Sequence, residues 1–373
     1  MKILITGGLG FIGSHTADAL LAQRYFVRIL DNLSEPVHRD GKPLYVPKGA
    51  EIIIGDVRSK ADWERALEGI DVVYHMAAYQ DYLTDLSKFF HVNTVGTTLL
   101  YEVAVERSLP LKKVIVASSQ AVYGEGKYRT ESGEIVYPNS RSRKQLEEGR
   151  WDIEWNGSRL IPQWTDEAVV NPQNQYAISK YTQELVALNL GCRYEIPTVC
   201  LRYSIVQGPR QSFYNAYSGA CRIFSLSYLF RRQPIIYEDG HQIRDFVNIE
   251  DVVCANLLVL EKEEANYRCF NVGGGRAYTV LEFAEIVARV FGCPFEPKLT
   301  GEFRFGDTRH IMSDITSLKV LGWSPQHAAE YSVLAYKEWL TSQDVSEEIL
   351  EYAYSHMREL NVVGQSRRRE AMP

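Results

Sequence analysis

Four glycines within seven residues, Gly7, Gly8, Gly10 and Gly13, separate a short apolar run at 2–6 from a stretch with helical spacing at 11–23. Glycine lets the backbone turn sharply there and lets a helix start hard against a strand. A second apolar run, 26–30, ends at Asp31, so the opening reads strand, helix, strand. Such an opening confines the chain to folds in which parallel strands are joined by helical crossovers.

The alternation persists. Apolar runs at 51–54, 71–75 and 113–117 are separated by helical patterns at 60–67 and 86–106. Repetition of this kind predicts an α/β fold, a doubly wound parallel sheet with helices on both faces. After Tyr123 the rhythm stops for about 45 residues, in a stretch that carries Trp151, Trp155 and Trp164. A loop that long is commonly a lid or a binding loop, and one closing over the ligand is expected here. A helix at 173–190 and a strand at 197–203 resume the pattern. Beyond them Pro, Gly and aromatics dominate, with a sheet-like run at 234–237, helices near 251–260 and 280–291, and a polar tail. The expected organisation is a Rossmann domain over 1–203 with an insertion at 124–170, a smaller C-terminal substrate-binding lobe over most of 204–365, and a flexible tail at 366–373.

Composition narrows the function classes. Hydrophobic residues at 45% and charged ones at 24% exclude disordered, collagen-like and coiled-coil chains. The net charge of −6 comes without a basic patch, apart from Arg367, Arg368 and Arg369, which argues against nucleic acid as a partner. The six cysteines are never closer than eight positions, so they form no CxxC pair and no zinc spacing. No uncharged run approaches the roughly 18 residues that span a bilayer, and residues 1–13 make a poor signal peptide. A cytoplasmic chain with no membrane partner and no metal is expected.

Gly8, Gly10 and Gly13 fit G-x-G-x-x-G, and Gly7, Gly10 and Gly13 fit G-x-x-G-x-x-G. Glycines in that context allow close approach of a pyrophosphate to the amides that open a helix. Asp31, 18 residues after Gly13, is placed to accept hydrogen bonds from ribose hydroxyls and to repel a 2′-phosphate, which favours NAD over NADP. Asp56 either caps a helix or touches adenine. A Tyr-x-x-x-Lys pair sets a phenol and an ammonium on one helical face, where the cation lowers the phenol pKa. Of two such pairs, Tyr123 and Lys127 are separated by Gly124 and Gly126, which break a helix, whereas Tyr176 and Lys180 lie in the 173–190 helix with Glu184 on the same stripe. Ser118 and Ser119 end a strand where ligands bind in this architecture, and either is a candidate hydroxyl donor or a turn cap. No H-E-x-x-H, G-x-S-x-G or P-loop lysine offers a rival chemistry.

These segments, with Ser118–Gly124, Tyr176–Lys180, Leu201–Tyr203, Gly208–Arg210 and Ile243–Val247, resemble the extended short-chain dehydrogenase/reductase family of NAD-dependent nucleotide-sugar epimerases and dehydratases. Within it the chain is most similar to the dTDP-L-rhamnose 4-epimerase type, through Tyr123–Gly126, the long insertion, Phe303–Asp307 and Arg309-His310. The resemblance implies that Ser119, Tyr176 and Lys180 form the catalytic set. It implies that Gly7, Gly10, Phe11, Ile12, Gly13, Asp31, Asn32, Asp56, Val57, Ala77, Ala78, Asn93, Lys180 and Tyr203 hold NAD. Gln80, Gln120, Arg244, Arg304 and Asp307 are implied to hold a nucleotide-diphosphate sugar. The implied activity is inversion at C4 of a hexose or 6-deoxyhexose through a transient 4-keto sugar, in a homodimer. Reduction, decarboxylation, 4,6-dehydration and a non-catalytic NAD-binding scaffold are the alternatives. Family dehydratases carry acids where this chain has Gln120 and Ala121, neither of which shuttles a proton. Ile205 stands where relatives often have a phosphate-contacting asparagine, and Gln207 where a tyrosine is common.

Overall fold

Apolar runs too short for helices, and rich in Ile and Val, become the strands of one parallel sheet buried on both faces. The computed structural model describes residues 1–81, 85–214 and 219–367. Its central sheet comprises β1 (Lys2–Thr6), β2 (Phe26–Asp31), β3 (Glu51–Ile54), β4 (Val72–His75), β5 (Lys113–Ser119), β6 (Thr198–Tyr203) and β7 (Arg268–Val272), in the order β7-β6-β5-β4-β1-β2-β3. The direction of winding reverses at β1, which pairs with β2 on one side and β4 on the other. Ligands bind beyond the carboxyl ends of strands at such a point.

Strand alternation divides the core in two. Ile3 and Ile5 of β1 pack under α1 (Phe11–Ala22) together with Val252 and Val259. Leu4 points to the opposite layer, with Trp63, Leu100, Tyr101 and Ala187. That second layer holds α2 (Lys60–Ala66), α3 (Gly96–Glu106) and α4 (Gln175–Arg193). A register slip of one residue would exchange the two sets, so burial on both faces fixes the pairing. Where one helix is expected over 86–106, the chain forms Leu86–Phe89, a π-helical turn at Phe90–Val95 and then α3. The π turn carries Asn93, whose side chain is fully buried.

After β6 the chain enters a second lobe, returns through α5 (Ile249–Glu261) and β7 to the large sheet, and leaves again. The lobe is built on a three-stranded sheet of Ile205–Gln207, Ile243–Asn248 and Ala277–Thr279. Its core includes Phe224, Phe283 and Tyr336, with Phe246 stacked on Phe283 at 4.0 Å. Part of what reads as a polar tail is a helix, Glu348–Glu359, followed by a strand, Val363–Gln365, that pairs with Glu302–Arg304. Ser366 is buried and the Arg367 amide donates to the Glu147 carbonyl at 2.8 Å. Residues 368–373, most of the expected flexible tail, lie outside the described residues.

The insertion has structure of its own. Tyr128–Arg129, Ile135–Val136 and Ile161–Pro162 form a small sheet over Tyr128, Val136, Ile153 and Leu160. Buried charges dock it on the second lobe. Arg141 pairs with Glu238 through two hydrogen bonds of 2.8 and 2.9 Å. Arg309 joins Glu238, Asp239 and Asp152. Trp155 and Trp164 are exposed, and Trp151 lies against Phe303.

Candidate active site

The turn after β1 sets the first wall. Gly7 has φ of 67°, a left-handed conformation that a β-carbon disfavours, and a β-carbon on Gly13 would stand 2.3 Å from the Gly7 carbonyl oxygen. Helix α1 therefore starts in contact with the turn. Its N-cap, Gly10, offers no side-chain cap, so the first-turn amides remain available to an anion. Asp31, at the end of β2, accepts from the amides of Leu9 and Leu33, each at 3.0 Å. One carboxylate thus ties the glycine turn to the strand end.

The second wall is set by α4. Asn174 caps it, accepting from the Ala177 amide at 2.9 Å, and so fixes the helix that carries Tyr176 and Lys180. Ser119 ends β5, accepts from the Ala121 amide at 3.1 Å and is the hydrogen-bond partner of the Tyr176 hydroxyl. Burial pushes the Tyr176 phenol up to about 12, with Ser119 pulling the other way. Burial likewise pulls the Lys180 ammonium down to about 8, while Glu184 and Cys200 push it up. The ammonium donates to the Ala117 carbonyl at 2.5 Å and to Gln183 Oε1 at 2.6 Å. The shared helical face is as expected, but Lys180 takes its partners from β5 and its own helix. Ser118 also borders the site, but its hydroxyl is committed to Glu184 Oε1 at 2.5 Å, and Glu184 forms a two-point ion pair with Arg202. The other Tyr-x-x-x-Lys pair is split, with Tyr123 bonded to Asn271 and Lys127 paired with Asp166.

Arginines form the third wall. Arg244 donates to the carbonyls of Ile243, Arg309 and Thr308 at 2.9, 3.0 and 2.7 Å. Carbonyls orient the guanidinium without cancelling its charge. Arg304 is held by Asp307, at 2.8 Å to Oδ2.

One cavity of about 600 Å³ joins the three walls. Gly7, Gly10, Phe11, Ile12, Gly13, Asp31, Asn32, Val57, Ala77, Ala78, Gln80, Ser119, Gln120, Tyr176, Lys180, Tyr203, Arg244, Arg304 and Asp307 all line it. Asp56 and Asn93 do not. Asp56 is turned to Arg58 and Asn32; partial burial works upward, yet those hydrogen bonds hold its carboxyl down at about 2. Asn93 lies behind the wall, where its amide bonds both backbone groups of Tyr79 and the Ser179 hydroxyl. Of the insertion, Gly124 and Ser140 reach the cavity and the three tryptophans do not. Of the two departures from the family pattern, Ile205 lines the cavity, while Gln207 is buried with neither amide atom bonded.

Several lining residues carry no sequence signal. His38 comes from the loop after β2, Tyr237 and Phe224 from the second lobe, and Tyr354 and Met357 from the helix Glu348–Glu359. Among the described residues, no group of three His, Cys, Asp or Glu could hold a metal, and no helix is long and apolar enough to cross a membrane.

Comparison with known proteins agrees with this geometry. The profile of the NAD-dependent epimerase/dehydratase family matches residues 3–142 and 157–273. The gap falls in the insertion. The chain is 36% identical over 351 residues to a dTDP-L-rhamnose 4-epimerase of Burkholderia thailandensis, covering 92% of this chain and 95% of that protein. It is 30% identical to a UDP-glucose 4-epimerase of Mycolicibacterium smegmatis, covering 88% and 95%. Among solved structures, a UDP-glucose 4-epimerase of Thermotoga maritima with UDP-glucose superposes with a TM-score of 0.76 at 28% identity, covering 91% and 99%. A UDP-N-acetylglucosamine 4-epimerase from Methanobrevibacter ruminantium gives 0.74 at 29% identity, covering 92% and 98%. Sheet order, glycine turn, the Tyr176 and Lys180 helix and these matches lead to one conclusion: the chain belongs to the NAD-dependent epimerase/dehydratase family.

Proposed function

We propose that this enzyme inverts C4 of a nucleotide-diphosphate hexose or 6-deoxyhexose, with Ser119, Tyr176 and Lys180 as its catalytic residues. The observation that carries the reading is the continuity of one cavity from the glycine turn, past Tyr176, to Arg244. A cofactor and a phosphate-bearing substrate then meet at the phenol. The glycine turn, the uncapped start of α1 and Asp31 suit NAD: close backbone approach for the pyrophosphate, a carboxylate for the ribose. Ala77, Ala78, Lys180 and Tyr203 continue that wall. When bound there, NAD supplies a reversible hydride acceptor.

The chain's own residues do the rest. Tyr176 takes the proton from the C4 hydroxyl and later returns it. Ser119 holds the same oxygen, since it already partners the phenol. Burial keeps Tyr176 protonated and Ser119 works against it; Lys180, one turn along the same helix, is the cation assigned to lower the phenol further. Arg244, oriented by neutral carbonyls, meets the diphosphate, with Arg304 and Asp307 beside it. Gln120 and Ala121 offer no acid to expel water, which disfavours dehydration. Incubating the enzyme with UDP- and dTDP-hexoses and reading products by NMR tests the assignment. A C4 epimer of one of them supports it, and a dehydrated, decarboxylated or unchanged panel overturns it.

The homodimer expected from the family resemblance has a matching surface. Helices α3 and α4 pack side by side, and Val95, just before α3, and Ile178 and Leu185 on α4 stand exposed at 42, 41 and 52%. A second copy covering that face would bury them. Sedimentation equilibrium should give twice the chain mass, and a monomer at micromolar concentration would contradict it.

A further inference from the structure

Behind Lys180 runs a chain of buried polar groups in which every proton has one place to go. The Thr6 hydroxyl oxygen accepts from the amides of Met76 and Ala77, each at 3.1 Å. Its own proton must therefore go to His75 Nδ1, 2.8 Å away. His75 is neutral, burial holding it down to about 3, so its remaining nitrogen, Nε2, carries the ring proton and donates to Thr97 Oγ1 at 2.9 Å. The Thr97 hydroxyl gives its proton to the Asn93 carbonyl at 2.7 Å, which leaves its oxygen to accept a second bond, from Gln183 Nε2 at 2.8 Å. With its nitrogen so committed, Gln183 turns its oxygen to Lys180 at 2.6 Å.

A flipped Gln183 would set an NH₂ against an ammonium and a carbonyl against a hydroxyl with no proton to give. Both contacts would leave buried groups unmatched, so the flip is closed off. Thr6, His75, Thr97, Gln183 and Lys180 are all buried, and only Lys180 of the five lines the cavity.

We propose that Gln183 is a positioning residue for Lys180, held by the strut through Thr97, His75 and Thr6 so that its oxygen aims the ammonium and keeps it charged. The proposal rests on the reading of Lys180 as the catalytic cation. The ionisable groups that bear on the ammonium are Glu184 on the same helix, Cys200 from β6, His75 from β4 and Tyr176 one turn away. His75 and Tyr176 are neutral at pH 7, so Glu184 supplies the charge that favours the ammonium, and Gln183 and Ala117 supply its hydrogen bonds. Because burial already brings Lys180 down to about 8, a lost acceptor carries its titration into the neutral range.

The sign follows. The ammonium is the working form, so a lower Lys180 pKa moves the alkaline limb of kcat/KM to lower pH. Gln183→Met, which keeps the length and removes the acceptor, should shift that limb down by about one pH unit. Gln183→Glu, which adds a negative charge, should shift it up. Thr97→Val, which frees the Gln183 amide without touching Lys180, should shift it down by less, and Thr97→Ser should restore it. Should Gln183→Met fail to fold, the Thr97 pair carries the same comparison.

Trace acetylation of Lys180 across pH, read by mass spectrometry, reports its ionisation without turnover and should move with the limb. If Lys180→Met abolishes turnover while the Gln183 and Thr97 variants titrate as the parent enzyme does, the strut is only packing and the proposal is overturned. If Lys180→Met turns over normally, the reading of the active site fails instead.

Discussion

Replacing Tyr176 with phenylalanine is expected to lower turnover by about 10²- to 10⁴-fold, the range for losing a general acid–base group. The ring packs among Phe89 and the apolar side chains under α4, and those contacts persist in the variant. Only the hydroxyl that partners Ser119 is lost, so fold and NAD binding should remain. Tyr123→Phe is the contrasting variant. The Tyr123 hydroxyl donates to Asn271 and accepts from Arg202 inside the fold, and Lys127 is paired elsewhere. Removing it should cost about 1–3 kcal/mol of stability by leaving those groups unmatched, with turnover of the folded enzyme preserved. Steady-state rates and NAD titration of both variants decide the matter, and near-parental turnover in Tyr176→Phe would refute the assignment.

Arg141→Met is expected to cost about 3 kcal/mol, the low end for removing one partner of a buried ion pair. The pair is fully enclosed, with 1 and 2% of the two side chains exposed. Arg309 still reaches Glu238, which limits the loss. A second consequence concerns the substrate. Arg141 also donates to the Asp307 carbonyl at 3.0 Å, so it fixes the backbone of a residue that lines the cavity beside Arg244. The KM for the nucleotide sugar should therefore rise while NAD affinity stays unchanged. Urea denaturation and separate titrations check both statements, and parental stability would show that the insertion is not anchored by these charges.

What could be read from the sequence was chemistry set by local spacing. The glycine turn, Asp31 and the Tyr176 and Lys180 pair each lie within one turn or one crossover, so their geometry follows from the strand and helix periods. The insertion was silent because its elements run two to five residues, too short to show a period. The helix Glu348–Glu359 read as tail because charged residues dilute it, although Ile349, Leu350, Ala353 and Met357 share its buried side. Without that helix, Tyr354 and Met357 could not be placed in the cavity. Asp56 and Asn93 show what local spacing does not carry, the direction of a side chain. Both stand at expected positions in the chain, but hydrogen bonds to Arg58 and to Tyr79 turn their side chains elsewhere. Gln183 was invisible for a further reason: its partner Thr97, and His75 and Thr6 behind it, come from other elements of the sheet layer.

The central claim is that C4 is inverted by removing its hydrogen and returning the same one within a closed site. Substrate deuterated at C4 should keep its label in the epimer, and the reaction in heavy water should place no solvent deuterium on the ring. Enolisation would import deuterium at C3 or C5, and dehydration would import it at C6. NMR of the product mixture reads all of these positions in one spectrum. Full retention at C4 is the predicted result; loss of that label during turnover, or solvent deuterium at C3, C5 or C6, would contradict the account.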